Sequence, residues 1–182
     1  MKELLLVCLG AMLVDNLLLA HYLGLDSLPD EPVSLRKVAR SGLSVTLLML
    51  VAAPLVYLVE AFIIARFDLW FARPIIILLV IAALIRIMGR WIRQLGNCAV
   101  TYSVLLGWAL LTLAEGYSLG ESLAYALGSG LGLTVVLVVL AGLLAELRLS
   151  NIPESFRGLP ILFVVIGILA LCFGGFCGML RL

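Results

Sequence analysis

Six runs of predominantly apolar residues, each close to twenty residues or longer, follow one another along the chain with only short polar segments between them. About 20 residues at a rise of 1.5 Å each cross the hydrocarbon core of a bilayer. Polar and apolar residues do not alternate within the runs, which favours helices over the strands of a membrane barrel. The sequence therefore predicts an all-α polytopic membrane protein with six transmembrane helices. The predicted spans are Leu4–Leu23, Ser41–Ile64, Pro74–Ile92, Asn97–Ala114, Leu119–Leu147 and Leu159–Leu180.

Composition excludes a water-soluble domain. Of the 182 residues, 64% are hydrophobic and 13% are charged, whereas soluble domains have about half and about a quarter. We therefore expect a single membrane domain, residues 1–182, in contact with lipid. The net charge of +1 gives no support for a nucleic-acid partner. Because no zinc-protease, phosphate-loop or hydrolase motif is present, we expect no autonomous active site.

The distribution of lysine and arginine predicts the orientation of the spans. Cytoplasmic loops of membrane proteins carry an excess of these residues. Eight lie on one predicted side of the membrane and four on the other, which favours both termini outside the cytoplasm. The eight are Arg36, Lys37, Arg40, Arg86, Arg90, Arg93, Arg148 and Arg157, and the four are Lys2, Arg66, Arg73 and Arg181.

The chain divides into two halves of three spans, at about residues 1–93 and 94–182. Each half opens with a span that carries an asparagine, "LVDNLLLAHYLGL" in the first and "LGNCAVTYSVLLG" in the second. Because three is an odd number, two similar halves must insert with opposite orientations. Such inverted repeats are frequent in transport proteins, where function gathers between the halves.

Asp15 and Asn16 lie about twelve residues into the first predicted span. A carboxylate at that depth costs about 2.5–3.5 kcal/mol on insertion scales, so Asp15 should face protein or water. Three interpretations are open: an ion- or proton-linked site, a polar pair that holds a break in the helix, or a simple interhelical hydrogen bond. Nearer to the span ends, His21 and Glu60 are expected at the membrane interface, Glu60 with Arg66 six residues further on.

Cys98 differs from Cys8, Cys172 and Cys177, which we interpret as small apolar fillers. Asn97 precedes it at a predicted helix start and is a good N-cap, and the exposed amides of a first turn favour a thiolate. Thiolate is the form of cysteine that binds iron. On these residues alone, a filler and a metal ligand remain alternatives for Cys98.

Small residues at a spacing of four predict close helix packing, either within the chain or against another subunit. They are Ala124, Gly128 and Gly132 in the fifth span, and Gly174 and Gly178 in the sixth.

Four stretches make the sequence resemble the paired six-helix subunits of the Rnf and Nqr respiratory complexes, and the RnfA/NqrE branch in particular. The likeness covers nearly the whole chain, in the order that the family shows. The stretches are "LVDNLLLAHYLGL" at 13–25, "NCAV" at 97–100, "LAYALGSGLGLTVVLVVLAG" at 123–142 and "IPESFRGLPI" at 152–161.

The resemblance implies a subunit of an ion-translocating oxidoreductase in the bacterial inner membrane, bound to a homologous six-helix subunit of opposite orientation. In that family the two subunits share an intramembrane [2Fe–2S] cluster that carries electrons, and the complex moves Na⁺ or H⁺. The resemblance makes Cys98 the cluster ligand of the second half. The family's first-half cysteine follows "LGL"; this chain reads "LGLDSLP", so Asp26 takes that position.

Two other functions stay open on the sequence. A structural paralogue that organises a membrane complex without a cluster would explain Asp26, because a carboxylate is a poorer match to a cluster than a thiolate. A small ion or solute carrier would explain Asp15, Asn16 and the repeated halves.

Overall fold

The computed structural model describes residues 2–24, 34–64, 66, 70–89, 98–147, 150 and 153–175. Within these ranges the chain forms seven α-helices, so the all-α prediction is confirmed. In chain order they are α1 (Lys2–Leu13), α2 (Leu17–His21), α3 (Leu35–Val59), α4 (Arg73–Gly89), α5 (Cys98–Ala114), α6 (Leu119–Leu147) and α7 (Leu159–Gly174).

Two helical stretches, Leu35–Phe62 and Leu119–Leu147, are by length and composition sufficient to cross a membrane. The first includes α3 and most of the π-helical turn Glu60–Ile64 that continues it. Shorter apolar stretches lie at Leu4–Leu13, Tyr102–Ala114 and Leu159–Gly174.

The helix bounds follow the predicted spans most closely in the second half. α6 has the bounds predicted for the fifth span, and α5 begins at Cys98, one residue after the predicted start. α3 instead begins at Leu35, before the predicted start at Ser41, because its first turns keep charged side chains such as Arg36 exposed beyond the apolar stretch. The predicted ends of the third and sixth spans, at Ile92 and Leu180, lie outside the described residues.

The first predicted span is two helices rather than one. α1 ends at Leu13, and α2 begins at Leu17 after a turn in which Asn16 has an extended backbone, φ −71° and ψ 122°. α2 ends at His21 and is capped by Tyr22, whose φ of 56° places it in the left-handed region and whose amide donates back into the helix. The single helix predicted over Leu4–Leu23 is therefore interrupted near its middle.

α6 forms the centre of the bundle, with α1 packed along one side. A side-chain carbon added at Gly128 would collide with the backbone of Cys8, and one at Gly132 would lie 2.7 Å from the carbonyl oxygen of Met12. Because the contacts advance in the same sense along both helices, α1 and α6 run in the same direction. The small residues of the fifth span thus serve packing within the chain.

The other side of α6 packs against α3, which runs in the opposite direction. A carbon added at Gly42 would lie 2.6 Å from Thr134 Oγ1, and one at Gly130 would lie 2.6 Å from Thr46 Cγ2. Each glycine therefore makes room for the threonine of the other helix. The same pattern, S-G-L-x-x-T, contributes both pairs, at 41–46 in α3 and at 129–134 in α6.

The outer face of α7 has no neighbour among the described residues. Leu159, Phe163, Ile168 and Leu171 are exposed there, and a carbon added at Gly174 would meet nothing within 4 Å. Gly174 therefore packs against no described part of this chain, and Gly178 lies outside the described residues. An apolar face of this kind is suited to lipid or to another subunit.

Candidate functional site

Asn16 stabilises the interruption of the first span from both sides. Its Oδ1 accepts a hydrogen bond from the amide of Leu18 at 3.1 Å, which caps the start of α2, and its Nδ2 donates to the carbonyl oxygen of Met12 at 3.1 Å, near the end of α1. The side chain is fully buried. A single amide side chain thus satisfies one backbone N–H donor and one carbonyl acceptor that the break leaves free. A helix end at lipid depth without such a side chain would leave both groups unsatisfied.

Asp15 receives two polar partners at the same break. The Tyr125 hydroxyl donates to Asp15 Oδ2 at 2.7 Å, and the Nε2 atom of His21 lies 2.9 Å from Asp15 Oδ1. Tyr125 comes from the buried face of α6, 110 residues away along the chain. In the part of the chain that the structure describes, 44% of the Asp15 side chain and 34% of the His21 side chain are exposed. His21, which was expected at the membrane interface, therefore also has Asp15 as a polar partner.

A second tyrosine extends the cluster towards a cavity. The ring centres of Tyr117 and Tyr125 are 5.4 Å apart. Tyr117 also lines a cavity of about 250 Å³, together with Glu60, Arg73 and Ser122. Burial raises the pKa of Tyr117, and the nearby carboxylates of Glu115, Asp15 and Glu121 raise it further. The Tyr117 hydroxyl therefore keeps its proton at neutral pH and remains a hydrogen-bond donor.

Glu60 pairs with Arg73 rather than extending alone to the interface beside Arg66. Arg73 Nη2 lies 2.8 Å from Glu60 Oε1, and Arg73 Nε donates to Glu60 Oε2 at 3.3 Å. The same guanidinium donates to the carbonyl oxygen of Leu113 at 2.9 Å. The pair joins the π-helical end of α3 to the start of α4 and the last turn of α5, and about four-fifths of each side chain is covered.

Cys98 begins α5, as the predicted cap position implies. The end of the first-half motif reaches this helix: a carbon added at Gly24 would lie 3.0 Å from Val104 Cγ2, and one at Gly107 would collide with Leu23. Asn97 and Asp26 lie outside the described residues. The described end of the "LGL" segment and the helix that Cys98 begins are therefore neighbours.

Two of the other cysteines, Cys8 and Cys172, are among the described residues. Cys8 is half-buried and Cys172 is exposed, and both are free thiols. Cys172 is thus not the buried filler that its sequence context predicts. Cys177 lies outside the described residues. Within the described ranges, no three His, Cys, Asp or Glu side chains are arranged to hold a metal ion.

Comparison with known proteins decides the family. Residues 4–180 match the family model described as "Rnf-Nqr subunit, membrane protein". This chain belongs to the Rnf-Nqr family. Its Rnf-Nqr relatives include an ion-translocating oxidoreductase complex subunit from Syntrophotalea carbinolica, with 36% identity over 98% of each chain. The subunits of the same name from Azoarcus sp. and Vibrio vulnificus are 35% identical over 98% and 29% identical over 100% of each chain, respectively.

The Rnf-Nqr membership confirms the resemblance that the four sequence stretches carry. Sequence reasoning missed two partners in the site of this Rnf-Nqr subunit, Tyr125 and Arg73. Tyr125 gave a usable signal, because a tyrosine on the small-residue face of a membrane helix needs a polar partner for its hydroxyl. Arg73 gave none, since an arginine at a helix start is common.

Proposed function

We propose that the chain is a membrane subunit of an ion-translocating electron-transport complex of the Rnf type. It acts in the bacterial inner membrane together with a homologous six-helix subunit and other subunits of the complex. The observation that carries the proposal is similarity along nearly the full length to proteins named as subunits of an ion-translocating oxidoreductase complex.

Within this role, Cys98 is the proposed ligand of a [2Fe–2S] cluster shared with the homologous subunit. Support comes from the contact of Gly24 with Val104, since Asp26 follows Gly24 by two residues and Cys98 precedes Val104 by six, about 9 Å of helix. The start of α5 and the described end of the first-half motif thus approach the same region. When bound, a cluster of this kind exchanges single electrons.

Cys98 and Asp26 differ in how well they suit an iron–sulfur cluster. Cysteine thiolate is the usual ligand of an iron–sulfur cluster, and Cys98 at a helix start fits that requirement. Asp26, at the family's cysteine position, supplies a harder oxygen ligand that suits iron–sulfur chemistry less well. The partner subunit would have to supply the remaining thiolates.

Iron content and electron paramagnetic resonance of the purified complex test the assignment. We expect Cys98→Ser to lose the signal of the cluster, whereas Cys172→Ser retains it, because Cys172 is an exposed free thiol on α7. A full signal in Cys98→Ser would remove Cys98 from the ligand set. Loss of the signal in both variants would indicate disrupted assembly, which the yield of the complex reports separately.

The presence of Asp26 favours a second candidate function, a structural subunit that organises the complex without a cluster. This alternative predicts that Asp26→Cys changes neither the iron content nor the electron-transfer rate. A gain of iron and of a resonance signal in Asp26→Cys would contradict it, and would show that the scaffold still holds a cluster site.

We also propose that six spans form two inverted halves, about 1–93 and 94–182, with both termini outside the cytoplasm. The repeated S-G-L-x-x-T pattern supports this arrangement, because its two copies meet in antiparallel helices. In a variant whose four native cysteines are replaced by serine, a membrane-impermeant maleimide should label Lys2→Cys in intact cells. Arg157→Cys should react only after permeabilisation. The reverse pattern would invert the proposed topology.

A further inference from the structure

The polar cluster at the break of the first span contains two groups that exchange protons, and they contact each other. Asp15 Oδ1 and His21 Nε2 are 2.9 Å apart, and the second carboxylate oxygen accepts the Tyr125 hydroxyl. Histidine is the side chain whose charge ordinarily changes between about pH 5 and 8. The Asp15–His21 contact therefore joins two titratable side chains, unlike a hydrogen bond between non-titratable groups that only holds two helices together.

The exposure of the pair is inconsistent with a lipid-facing position. α1 has 12 residues before the break, about 18 Å of helix measured from its start. A charged carboxylate facing hydrocarbon at such a depth costs about 2.5–3.5 kcal/mol. Because 44% of the Asp15 side chain is open in the described part of the chain, that edge must face water or another protein. A water-facing edge lets a proton reach the pair.

The net charge of the Asp15–His21 pair also favours the binding of a proton. With a neutral imidazole the pair has a net charge of −1, and one added proton makes it neutral, which lowers the cost of holding it inside a membrane. The nearby carboxylates of Glu115 and Glu121 act, together with Asp15, on Tyr117. α7, which also packs near α2, has no Asp, Glu, Lys, Arg or His in its sequence, and the described titratable side chain of α5 is Tyr102.

The cluster continues towards one end of the bundle. The ring centres of Tyr125 and Tyr117 are 5.4 Å apart with the rings tilted by 42°, and Tyr117 lines the cavity together with Glu60 and Ser122. Tyr117 at the cavity wall and Tyr125, whose hydroxyl bonds to Asp15, are thus neighbours. Hydroxyl groups both donate and accept hydrogen bonds, so they are suited to relaying a proton between water in a cavity and a carboxylate.

We propose that Asp15 and His21 form a proton-binding site within the first span, and that Tyr125 connects it to the cavity beside Tyr117. One proton from a hydronium ion adds to the pair and leaves water behind, and no other bond changes. A bound metal cation is less suitable, because in the described ranges no third His, Cys, Asp or Glu joins Asp15 and His21. The role in transport rests on the proposed function, whereas proton binding itself is a property of this chain.

The single histidine of the chain gives a direct measurement. In the full chain labelled with ¹⁵N-histidine, the ring-nitrogen resonances report His21 alone. We expect their dependence on pH to change clearly in Asp15→Asn and less in Tyr125→Phe, whereas Glu146→Gln, an exposed carboxylate at the far end of α6, reproduces the wild-type curve. Identical curves for wild type and Asp15→Asn would overturn the proposal. Circular dichroism establishes that each variant retains its helix content, and Tyr125→Phe keeps the ring that packs the core.

Two further measurements separate the alternatives. Replacing K⁺ by Na⁺ at constant ionic strength should leave the histidine curve unchanged; a shift would assign the site to sodium and overturn the proton assignment.

In proteoliposomes with the whole complex, Asp15→Asn should reduce the protons moved per electron severalfold while the cluster signal persists. Loss of the signal in Cys98→Ser with an unchanged histidine curve would support both proposals. An unchanged signal in that variant would overturn the cluster assignment alone.

Discussion

The hydroxyl oxygens of Thr46 and Thr134 lie 3.5 Å apart where α3 and α6 cross. Each hydroxyl also donates to a carbonyl oxygen four residues earlier in its own helix, Gly42 at 3.0 Å for Thr46 and Gly130 at 2.8 Å for Thr134. The threonines therefore need no partner across the crossing to be satisfied. The close crossing instead depends on Gly42 and Gly130, which carry no side chain.

The glycines at the crossing should tolerate no added methyl group. In Gly130→Ala the new carbon would lie 2.6 Å from Thr46 Cγ2 and 2.9 Å from Thr46 Cβ. We expect a loss of about 1–3 kcal/mol in the free energy of unfolding, because overpacking forces the helices apart. Reversible unfolding in mixed detergent micelles measures it. Gly167→Ala in α7 is the control: nothing lies within 4 Å of the added carbon, and alanine favours helix by up to about 1 kcal/mol. Equal stability of the two variants would contradict the close crossing.

Asn16 should stabilise the fold through both ends of its amide. Asn16→Ala removes the cap on Leu18 and leaves the carbonyl oxygen of Met12 without this donor, so we expect a loss of about 1–2 kcal/mol. Asn16→Ser keeps an N-cap acceptor but is too short to serve Met12, and it should recover part of that loss. The same unfolding measurement gives both values. Full stability in Asn16→Ala would mean that the amide does not hold the break.

The Trp108 indole is buried, and its N–H has no hydrogen-bond partner among the described residues. A buried donor left unsatisfied costs about 1–3 kcal/mol. Trp108→Phe removes that donor along with part of the ring, so the two effects offset each other and we expect a change within about 1 kcal/mol. Trp108→Ala, which empties the site, should cost about 3–5 kcal/mol. A large loss in Trp108→Phe would reveal a partner for the N–H.

The Glu60–Arg73 pair should behave as one unit. Each single replacement, Glu60→Gln or Arg73→Gln, leaves a partly buried charge without its counterpart. We expect the double variant to be more stable than the sum of the single losses predicts, with a coupling free energy of about 0.5–3 kcal/mol. A double-mutant cycle on the free energy of unfolding measures it. Pairing Glu60→Gln with a change at the exposed Glu115 is the control, and it should give simple additivity.

The sequence predicted the helices more successfully than the contacts between them. Long apolar runs specify the bounds of α6, because hydrophobic length is a local property. Asp15 and Asn16 stood out for the same reason: polar residues at mid-span are costly wherever they occur. The identity of their partner was not available locally, since Tyr125 reaches Asp15 across 110 residues through the packing of α1 on α6.

The reach of α3 beyond its predicted start shows a second limit. Apolar length measures the part of a helix inside the hydrocarbon, whereas the helix itself continues into the polar region, where Arg36 stays exposed. Likewise, the π-helical turn at Glu60–Ile64 contains no proline or glycine, and Pro54 lies six residues before it. The pairing of Glu60 with Arg73 is the contact seen there, and it joins segments that only the folded bundle brings together.

The interruption after Leu13 affects the order in which the polar contacts of the first span can form. A half-length helix that ends among lipid tails leaves carbonyl groups that hydrocarbon cannot satisfy, and the side chain that relieves Asp15 belongs to α6. The ribosome releases α6 long after α1. Before that, Asp15 has His21 of its own segment beside it but not the Tyr125 hydroxyl, so its full set of partners forms only when α6 packs against α1.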